Sequence, residues 1–342
     1  MRILNTLYVD DHAVRLTVRR ESIEIRKGRS LAARFPMATL DQVILTGRAE
    51  VTTETLGRCT RQGIRVASLH RSGRVRFTVG GADSGNVLLR VLQLRAADDR
   101  LQSDELARSF VAGKLQNHAR LIRRWAWDAT GVTRVQLDEQ RAIVEERLGQ
   151  LPGARDGDHI RGLEGDATRR YFKALGIHLE AHHSRYPFTQ RTRQPPRDQV
   201  NALFSYLYGL LTVELVGAAT AVGLDPQIGY LHGLRPGRPS LALDLIEEFR
   251  PGIAERFAVG LLTRQQLNDG DFDLLPGGAC YLSDTGRAKL LRLWERYRNE
   301  EVVHPLLRAQ VPRAALPTIQ ATLLARHLRG DLPTYAPYIV DR

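Results

Sequence analysis

Near residue 80 the chain changes the period of its hydrophobic pattern, and no other feature limits its fold as tightly. Before that point apolar residues alternate with polar ones. Val14, Leu16 and Val18 alternate with Arg15, Thr17 and Arg19, and Ile23 and Ile25 repeat the pattern before a Lys27-Gly28 turn. A period of two places successive side chains on opposite faces of a half-buried strand. Gln42 to Leu45 and Ile64 to Ser68 are apolar runs of strand length, and Val75, Phe77 and Val79 alternate once more. Between these runs Thr53 is a candidate cap for a short helix over about residues 54–62 that ends before Gly63. Gly80-Gly81-Ala82-Asp83-Ser84-Gly85 then reads as a flexible linker. Beyond it helical spacing takes over, as in Val87, Leu88, Val91, Leu92 and Leu94, then Leu106, Phe110, Val111, Leu115 and Leu121. The expectation is an α+β protein. A small β-rich N-terminal domain spans 1–85, and a larger all-α C-terminal domain spans 86–342.

Charge narrows the partner. The chain has 50 Lys and Arg against 38 Asp and Glu, a net charge of +12. Lysine occurs only at 27, 114, 173 and 289, so 50 − 4 leaves 46 arginines. The guanidinium fork grips phosphate bidentately, and a chain this basic attracts a polyanion in a salt-dependent way. GC-rich codon usage accounts for the Arg:Lys ratio as well, but not for the net charge. Two cysteines, Cys59 and Cys280, exclude a disulfide framework and a cysteine-rich zinc module, and fit a reducing, cytoplasmic setting. The N-terminus reaches Asp10 and Asp11 before a signal-like apolar core forms. The stretch Leu203 to Leu224 is long enough to cross a bilayer, yet Glu214 lies at its middle, so a buried core helix is expected and no membrane partner.

Chemistry concentrates in YLHGLRPGRPSLALDLIEEFRP, residues 230–251. Ser240 is a candidate helix cap and Arg250-Pro251 a helix stop. Asp244 and Glu247, three apart, share a helix face. The loop GLRPGRP can fold His232 back onto that face, with Arg235 and Arg238 beside it. Imidazole plus carboxylate is a mixed N/O donor set compatible with Mn2+ or Mg2+, next to arginines suited to phosphate. A salt-bridged structural cluster fits the same spacing. Glu164, in LEGDATRRYF, is placed in the first turn of a helix, where dipole compensation alone accounts for an acid. Arg185, Arg191 and Arg193 interleave with Tyr186 and Phe188 as a candidate backbone-binding strip, followed by the cap candidate Asp198 and by Asn201 and Ser205 on one helix face. No GxxxxGK[ST], GxGxxG or GxSxG pattern supports an ATPase, a dinucleotide enzyme or a serine hydrolase.

Taken together, these segments resemble the CRISPR-associated integrase family of spacer acquisition, the "Cas-one" family. The resemblance rests on Glu164 in LEGDATRRYF, on RTRQPPRDQVNALFSYLY, on the His232 to Glu247 segment, on the closing helix around Gln320, and on the opening ILNTLYVDDHAVRLTV. It implies Glu164, His232 and Glu247 as ligands of Mg2+ or Mn2+, with Asp244 as a further acid of the catalytic site. The choice between Asp244 and Glu247 for the third ligand stays open at this point. Asn201 is expected to support the site, and Arg185, Arg191, Arg193, Arg235 and Arg238 to bind DNA. The resemblance further implies that the N-terminal domain is β-sandwich-like and the all-α C-terminal domain catalytic. It also implies a homodimer joined through the N-terminal region, a small ferredoxin-like CRISPR adaptation partner protein, and double-stranded DNA with 3′ ends and CRISPR repeat DNA as substrates. The implied reaction is 3′-hydroxyl attack on a repeat phosphodiester. A non-catalytic nucleic-acid-binding scaffold and an RNA-processing nuclease are the alternatives.

Overall fold

The computed structural model describes residues 5–11, 13–80, 87–182 and 185–340. Eight strands and one helix make up the N-terminal region: β1 Thr6–Val9, β2 Val14–Arg19, β3 Ser22–Lys27, β4 Ser30–Pro36, β5 Gln42–Leu45, β6 Glu50–Val51, α1 Thr53–Arg61, β7 Arg65–Leu69 and β8 Val75–Val79. They form two four-stranded sheets, in the orders β1-β5-β7-β8 and β4-β3-β2-β6. The parallel β5–β7 pairing needs a crossover, which α1 supplies. Val14, Leu16 and Ile23 of one sheet share a buried cluster with Val9, Val43, Leu45 and Val66 of the other, and Cys59 of α1 joins it. The period-two reading and the sandwich-like arrangement therefore stand. The cap of α1 is Thr52 rather than Thr53, its side chain accepting a hydrogen bond from the Thr55 amide. The expected linker lies mostly outside the described residues.

Helices dominate the rest: α2 Val87–Asp98, α3 Arg100–Asp128, α4 Gly131–Gln150, α5 Gly157–Ala181, α6 Gln199–Ala221, α7 Ser240–Phe249, α8 Arg256–Thr263, α9 Asp284–Asn299 and α10 Leu316–Leu328. Two short ribbons interrupt them, β9 Phe272–Leu274 with β10 Cys280–Leu282, and β11 Glu301–Val303 with β12 Gln310–Pro312. Helix α6 is the apolar stretch noted above, and most of it is buried. Its Glu214 is neutralised inside the protein by the Arg298 guanidinium and accepts a 2.8 Å hydrogen bond from the Tyr8 hydroxyl. A carboxylate taken out of water needs such partners, so the helix belongs to a protein core. Helix α2 departs from the expected face. Its buried residues are Leu89, Gln93 and Ala96, while Val87, Leu88, Val91 and Leu94 are exposed.

The sheet β1-β5-β7-β8 is not a separate body. Ile44, Ala67 and Leu69 belong to the same buried cluster as α3, α6 and α10 residues. Arg287 of α9 reaches Asp10 at 2.5 Å, and both are largely buried. The β7–β8 turn sits against α6 so closely that a Cβ at Gly209 would lie 2.0 Å from the Gly73 carbonyl oxygen, and Gly73 itself has φ +80°. Only glycine satisfies both demands. Inside the helical bundle a run of rings stacks from His118 onto Tyr171 at 3.9 Å, and Trp125 lies against His178 at 4.6 Å. Burial, aided by neighbouring His182, holds His178 neutral and lowers its pKa to about 3.

An unfolded histidine takes up a proton below about pH 6.5, whereas folded His178 resists until about pH 3, so the unfolded state binds more protons in that window. Stability conferred by neutral His178 is present above pH 6.5 and declines as pH falls toward 3. Chemical-denaturation midpoints measured across that window are expected to fall less steeply in His178→Phe than in the parent, by up to roughly 1.4 kcal/mol per pH unit.

Candidate active site

Three helices bring the acids of the site together. Helix α5 starts at Gly157, capped by Asp156, so Glu164 lies two turns inside it and not in the first turn. Compensation of the helix dipole therefore does not explain this acid, because that effect fades within one turn. Helix α7 carries Asp244 and Glu247 and is amphipathic. Helix α3 lies against both α5 and α7 and contributes Lys114, buried among apolar neighbours.

The Lys114 ammonium bridges the two acids. It forms an ion pair with Glu164 and another with Glu247 Oε2 at 2.7 Å. Arg250 takes the other Glu247 oxygen at 2.5 Å, and the Thr168 hydroxyl donates to Glu164 at 2.9 Å. Burial pushes the Glu247 carboxyl upward, but Arg250, Lys114 and His232 outweigh it and bring its pKa down to about 2. Burial likewise opposes the charge on Lys114, and Glu247 and Glu164 raise it nonetheless. The group is thus a fully charged cluster in a low-dielectric setting, which requires opposed charges in contact.

Asp244 does a different job. Its carboxylate is completely buried and accepts hydrogen bonds from the amides of Tyr230 at 2.6 Å, Leu231 at 3.1 Å and His232 at 2.9 Å. His232 Nδ1 lies 2.7 Å from the same carboxylate. An acceptor already serving three N–H groups requires Nδ1 to be the donor, so that in the neutral imidazole Nε2 is the nitrogen carrying the lone pair. Asp244 therefore folds the 230–232 segment and sets the imidazole tautomer, and both its oxygens are spent. Of the three acids on α7, Asp244, Glu247 and Glu248, only Glu247 meets the cation that Glu164 also meets. Ser240 does not cap α7; its hydroxyl donates to the Gly233 carbonyl at 3.2 Å and accepts from Arg238, tying the loop shut. The α-helix ends at Phe249, just before Arg250-Pro251 as expected, but the chain does not leave helical geometry there. The chain passes through a π-helical segment, Arg250–Glu255, into α8, since the wider turn tolerates the missing amide.

The arginine expectations divide. Arg191 turns inward, donating to Asn201 Oδ1 at 2.7 Å and Ser205 Oγ at 2.9 Å with its guanidinium over Tyr208. Asn201 thus supports Arg191 and its loop, not the acids directly, and Asp198 caps α6 as expected. Tyr186 and Phe188 are buried anchors and leave no stacking face for a base. Arg238 is engaged by the Gly233 carbonyl and Ser240. Arg185 lies 3.7 Å from Asp269 and is half exposed. Arg193 and Arg235 are exposed.

Several functional candidates escaped the sequence reading. Lys114 is one; its signal was a lone lysine in an apolar helical stretch of an arginine-rich chain. Arg71, Arg74 and Arg76 are others, in the turn HRSGRVR between β7 and β8. With Arg191, Arg193 and Arg250 they line a cleft of about 870 Å³ that has no carboxylate in its wall among the described residues and ends at the Arg250–Glu247 pair. A second cavity of about 780 Å³, lined by Glu164, Thr168, Lys173 and Gln190 among others, shares Arg191 and Arg193 with it. Glu248, next to Glu247, meets a different set of partners. It accepts hydrogen bonds from Tyr335 and Gln320 and from the Tyr338 amide, strapping the C-terminal segment over α7.

Oxygen and imidazole donors of this type suit a hard divalent cation, and the space between Glu164 and Glu247 already holds a positive charge. Among the described residues, however, no three His, Cys, Asp or Glu side chains stand together as a ready metal-binding group.

Fold and site together define a two-part protein, a strand-rich head on a helical body whose paired acids adjoin a cationic cleft. The profile of the family described as CRISPR-associated protein Cas1 matches residues 7–296. A CRISPR-associated endonuclease Cas1 of Moorella thermoacetica is 39% identical over 338 residues, covering 98% of each chain. The chain belongs to the Cas1 family. The fold is similar to a casposase bound to integration product, with TM-score 0.82 at 21% identity over 97% of this chain and 93% of that one. It is also similar to part of the Cas6-RT-Cas1–Cas2 complex, with TM-score 0.83 at 20% identity over all of this chain and 37% of the other.

Replacing Asp244 by Asn keeps the volume and removes one acceptor oxygen while pointing an N–H at the Tyr230–His232 amides. A loss of about 2–4 kcal/mol in unfolding free energy is expected, together with loss of the His232 Nδ1 proton resonance from its hydrogen-bonded position.

Proposed function

We propose that this chain is a metal-dependent DNA integrase and endonuclease that inserts new spacers into a CRISPR array. The observation carrying this reading is the convergence of Glu164 and Glu247, from separate helices, on one buried cation beside an acid-free arginine cleft. Membership of the Cas1 family, whose relatives include named endonucleases, supports the chemistry. So does the fold shared with a casposase that has been seen on its integration product.

In this reading Glu164, His232 and Glu247 would hold Mg2+ or Mn2+, and Asp244 presents His232 through Nε2. The ion, when bound, would supply Lewis-acid stabilisation of the charge that develops on the phosphoryl oxygens. Everything else falls to the protein. Arg193, Arg71, Arg74 and Arg76 hold a nucleic-acid backbone in the cleft, and exposed Arg235 holds a phosphate at the mouth of the His232 loop. Arg250 lies at the inner end of the cleft and keeps Glu247 ionised. The incoming 3′-hydroxyl gives up its proton to solvent as its oxygen bonds to phosphorus at the repeat boundary, the P–O3′ bond of the repeat strand breaks, and the departing 3′-oxygen takes up a proton from solvent. Water in place of the 3′-hydroxyl yields strand cleavage at the same site.

Residues 1–85 are assigned to dimerisation and 86–342 to catalysis, metal binding and DNA binding, with Arg71, Arg74 and Arg76 of the first part joining the DNA contact and α2 of the second joining the dimer contact. The apolar face of α2, with Val87, Leu88, Val91 and Leu94 exposed, and the edge strand β8, with Val75 and Phe77 exposed, support a homodimer. The fold shared with part of a Cas6-RT-Cas1–Cas2 complex supports a partner protein of the Cas2 kind, in the place of the small ferredoxin-like CRISPR adaptation partner. The inward Arg191 and the locked Arg238 shift DNA contact toward Arg71, Arg74, Arg76, Arg193 and Arg235. A non-catalytic scaffold has one observation in its favour, the absence of a ready group of three metal donors among the described residues, and the first experiment below separates the two readings.

Joining of a short duplex to a plasmid carrying a CRISPR repeat should require Mg2+ or Mn2+, and should be lost in Glu164→Gln and in His232→Ala at retained solubility and secondary structure. Metal-independent joining, or full activity in either variant, would overturn the site assignment. Separately, Arg74→Ala and Arg235→Ala are each expected to weaken DNA binding and to lower the slope of log affinity against log salt by about 0.9, read by fluorescence anisotropy.

A further inference from the structure

We propose that Lys114 is the positioning residue of this site, a built-in cation that holds Glu164 and Glu247 together in the absence of a metal ion and gives up their oxygens when one binds. The proposal rests on the reading of Glu164 and Glu247 as metal ligands.

The charges motivate it. Two carboxylates carried by different helices would repel each other across a space from which water is largely excluded. Glu247 is almost entirely buried and Glu164 about a quarter exposed, their side chains being 3% and 23% accessible, and Lys114, at 6%, lies between them. Arg250 satisfies only the far oxygen of Glu247, and Thr168 contributes a neutral hydroxyl to Glu164. Lys114 is therefore what keeps the pair facing each other. With it the four groups, Glu164, Glu247, Lys114 and Arg250, carry two negative and two positive charges.

The side-chain type fits the role. A chain with 46 arginines places one of its four lysines here. Ammonium is a compact point charge on a flexible stem, able to meet two carboxylate oxygens from different directions and then to move aside. A guanidinium has a fixed planar fork and would hold its partners in one geometry. The Lys114 stem is seated on α3, which packs along both α5 and α7, so a single anchor serves both acids. A divalent ion adds two positive charges to a balanced cluster. The ammonium then becomes a competitor, and its repulsion weakens metal binding. Lys114 touches neither DNA nor a reacting atom in this account; it acts through the two acids.

The test compares the full-length parent protein, Lys114→Met and the double variant Lys114→Met/Glu164→Gln, without DNA. Mn2+ binding is read by electron paramagnetic resonance and calorimetry, and melting temperature is read with and without Mn2+. Lys114→Met should melt about 5–10 °C lower than the parent in the absence of metal, as expected when a buried ion pair loses one partner in a chain of this size. It should bind Mn2+ on the order of tenfold more tightly and recover more of its melting temperature on Mn2+ addition than the parent gains. The double variant removes one charge of each sign and should melt within a few degrees of the parent.

Equal or weaker Mn2+ binding by Lys114→Met, with binding intact in the parent, overturns the role of Lys114 and leaves the metal site standing. No Mn2+ binding by either protein overturns the metal reading and the positioning role with it. Should Lys114→Met fail to fold, the double variant decides. A double variant as unstable as the single one assigns Lys114 to packing alone and overturns the proposal.

Discussion

The arrangement around the candidate site depends on one requirement, that acids removed from water must meet positive charge or a full set of hydrogen-bond donors. Glu164 and Glu247 meet it through Lys114, and Glu247 meets it a second time through Arg250. Three long elements are committed to that meeting. Helix α3 carries the lysine, α5 and α7 carry the acids, and the π-helical segment after α7 presents Arg250. A shift of any one of them strands a buried charge, which is costlier than losing an apolar contact of similar size. The geometry is therefore held by electrostatics as much as by packing.

The same requirement recurs at each buried acid nearby, with a different solution each time. Asp244 is met by three backbone amides and an imidazole, so it shapes a loop. Glu248 is met by neutral donors from Gln320, Tyr335 and Tyr338, and burial leaves its pKa raised to about 7. Glu214 joins the head to the body through Tyr8 and Arg298. Adjacent acids on α7 thus serve distinct ends. Glu247 faces the cleft side, Asp244 the His232 loop, and Glu248 the C-terminal strap.

The strand-rich head contributes more than an attachment surface. Its β7–β8 turn is seated on α6 by the Gly73–Gly209 contact and places Arg71, Arg74 and Arg76 in the wall of the cleft that ends at Glu247. A basic excess spread over the whole chain becomes, at that wall, a local field. Of the basic loops first singled out, two lost members to internal work, since Arg191 is held by Asn201 and Ser205 and Arg238 by its own loop. The cationic surface is consequently built from both halves of the chain.

Much of this was legible in the residues alone. Periodicity is a local property, so the change from alternation at Val14–Val18 to helical spacing at Leu106–Leu115 announced a strand-rich region followed by a helical one. Asp198 before a long apolar run marked the start of α6 because a cap is a contact over three residues. Resemblance of whole segments singled out Glu164, His232 and Glu247. Other features depend on contacts between distant parts of the chain, and local pattern carries no trace of them. Lys114 lies 50 residues from Glu164, and only the packing of α3 against α5 and α7 shows why one lysine is kept there. Whether Asp244 or Glu247 faced the second acid turned on the path of the 230–232 backbone, whose amides claim Asp244. Charge is written in the sequence, but its partner is chosen by the fold, because ion pairs form through space and spacing along the chain does not measure that distance.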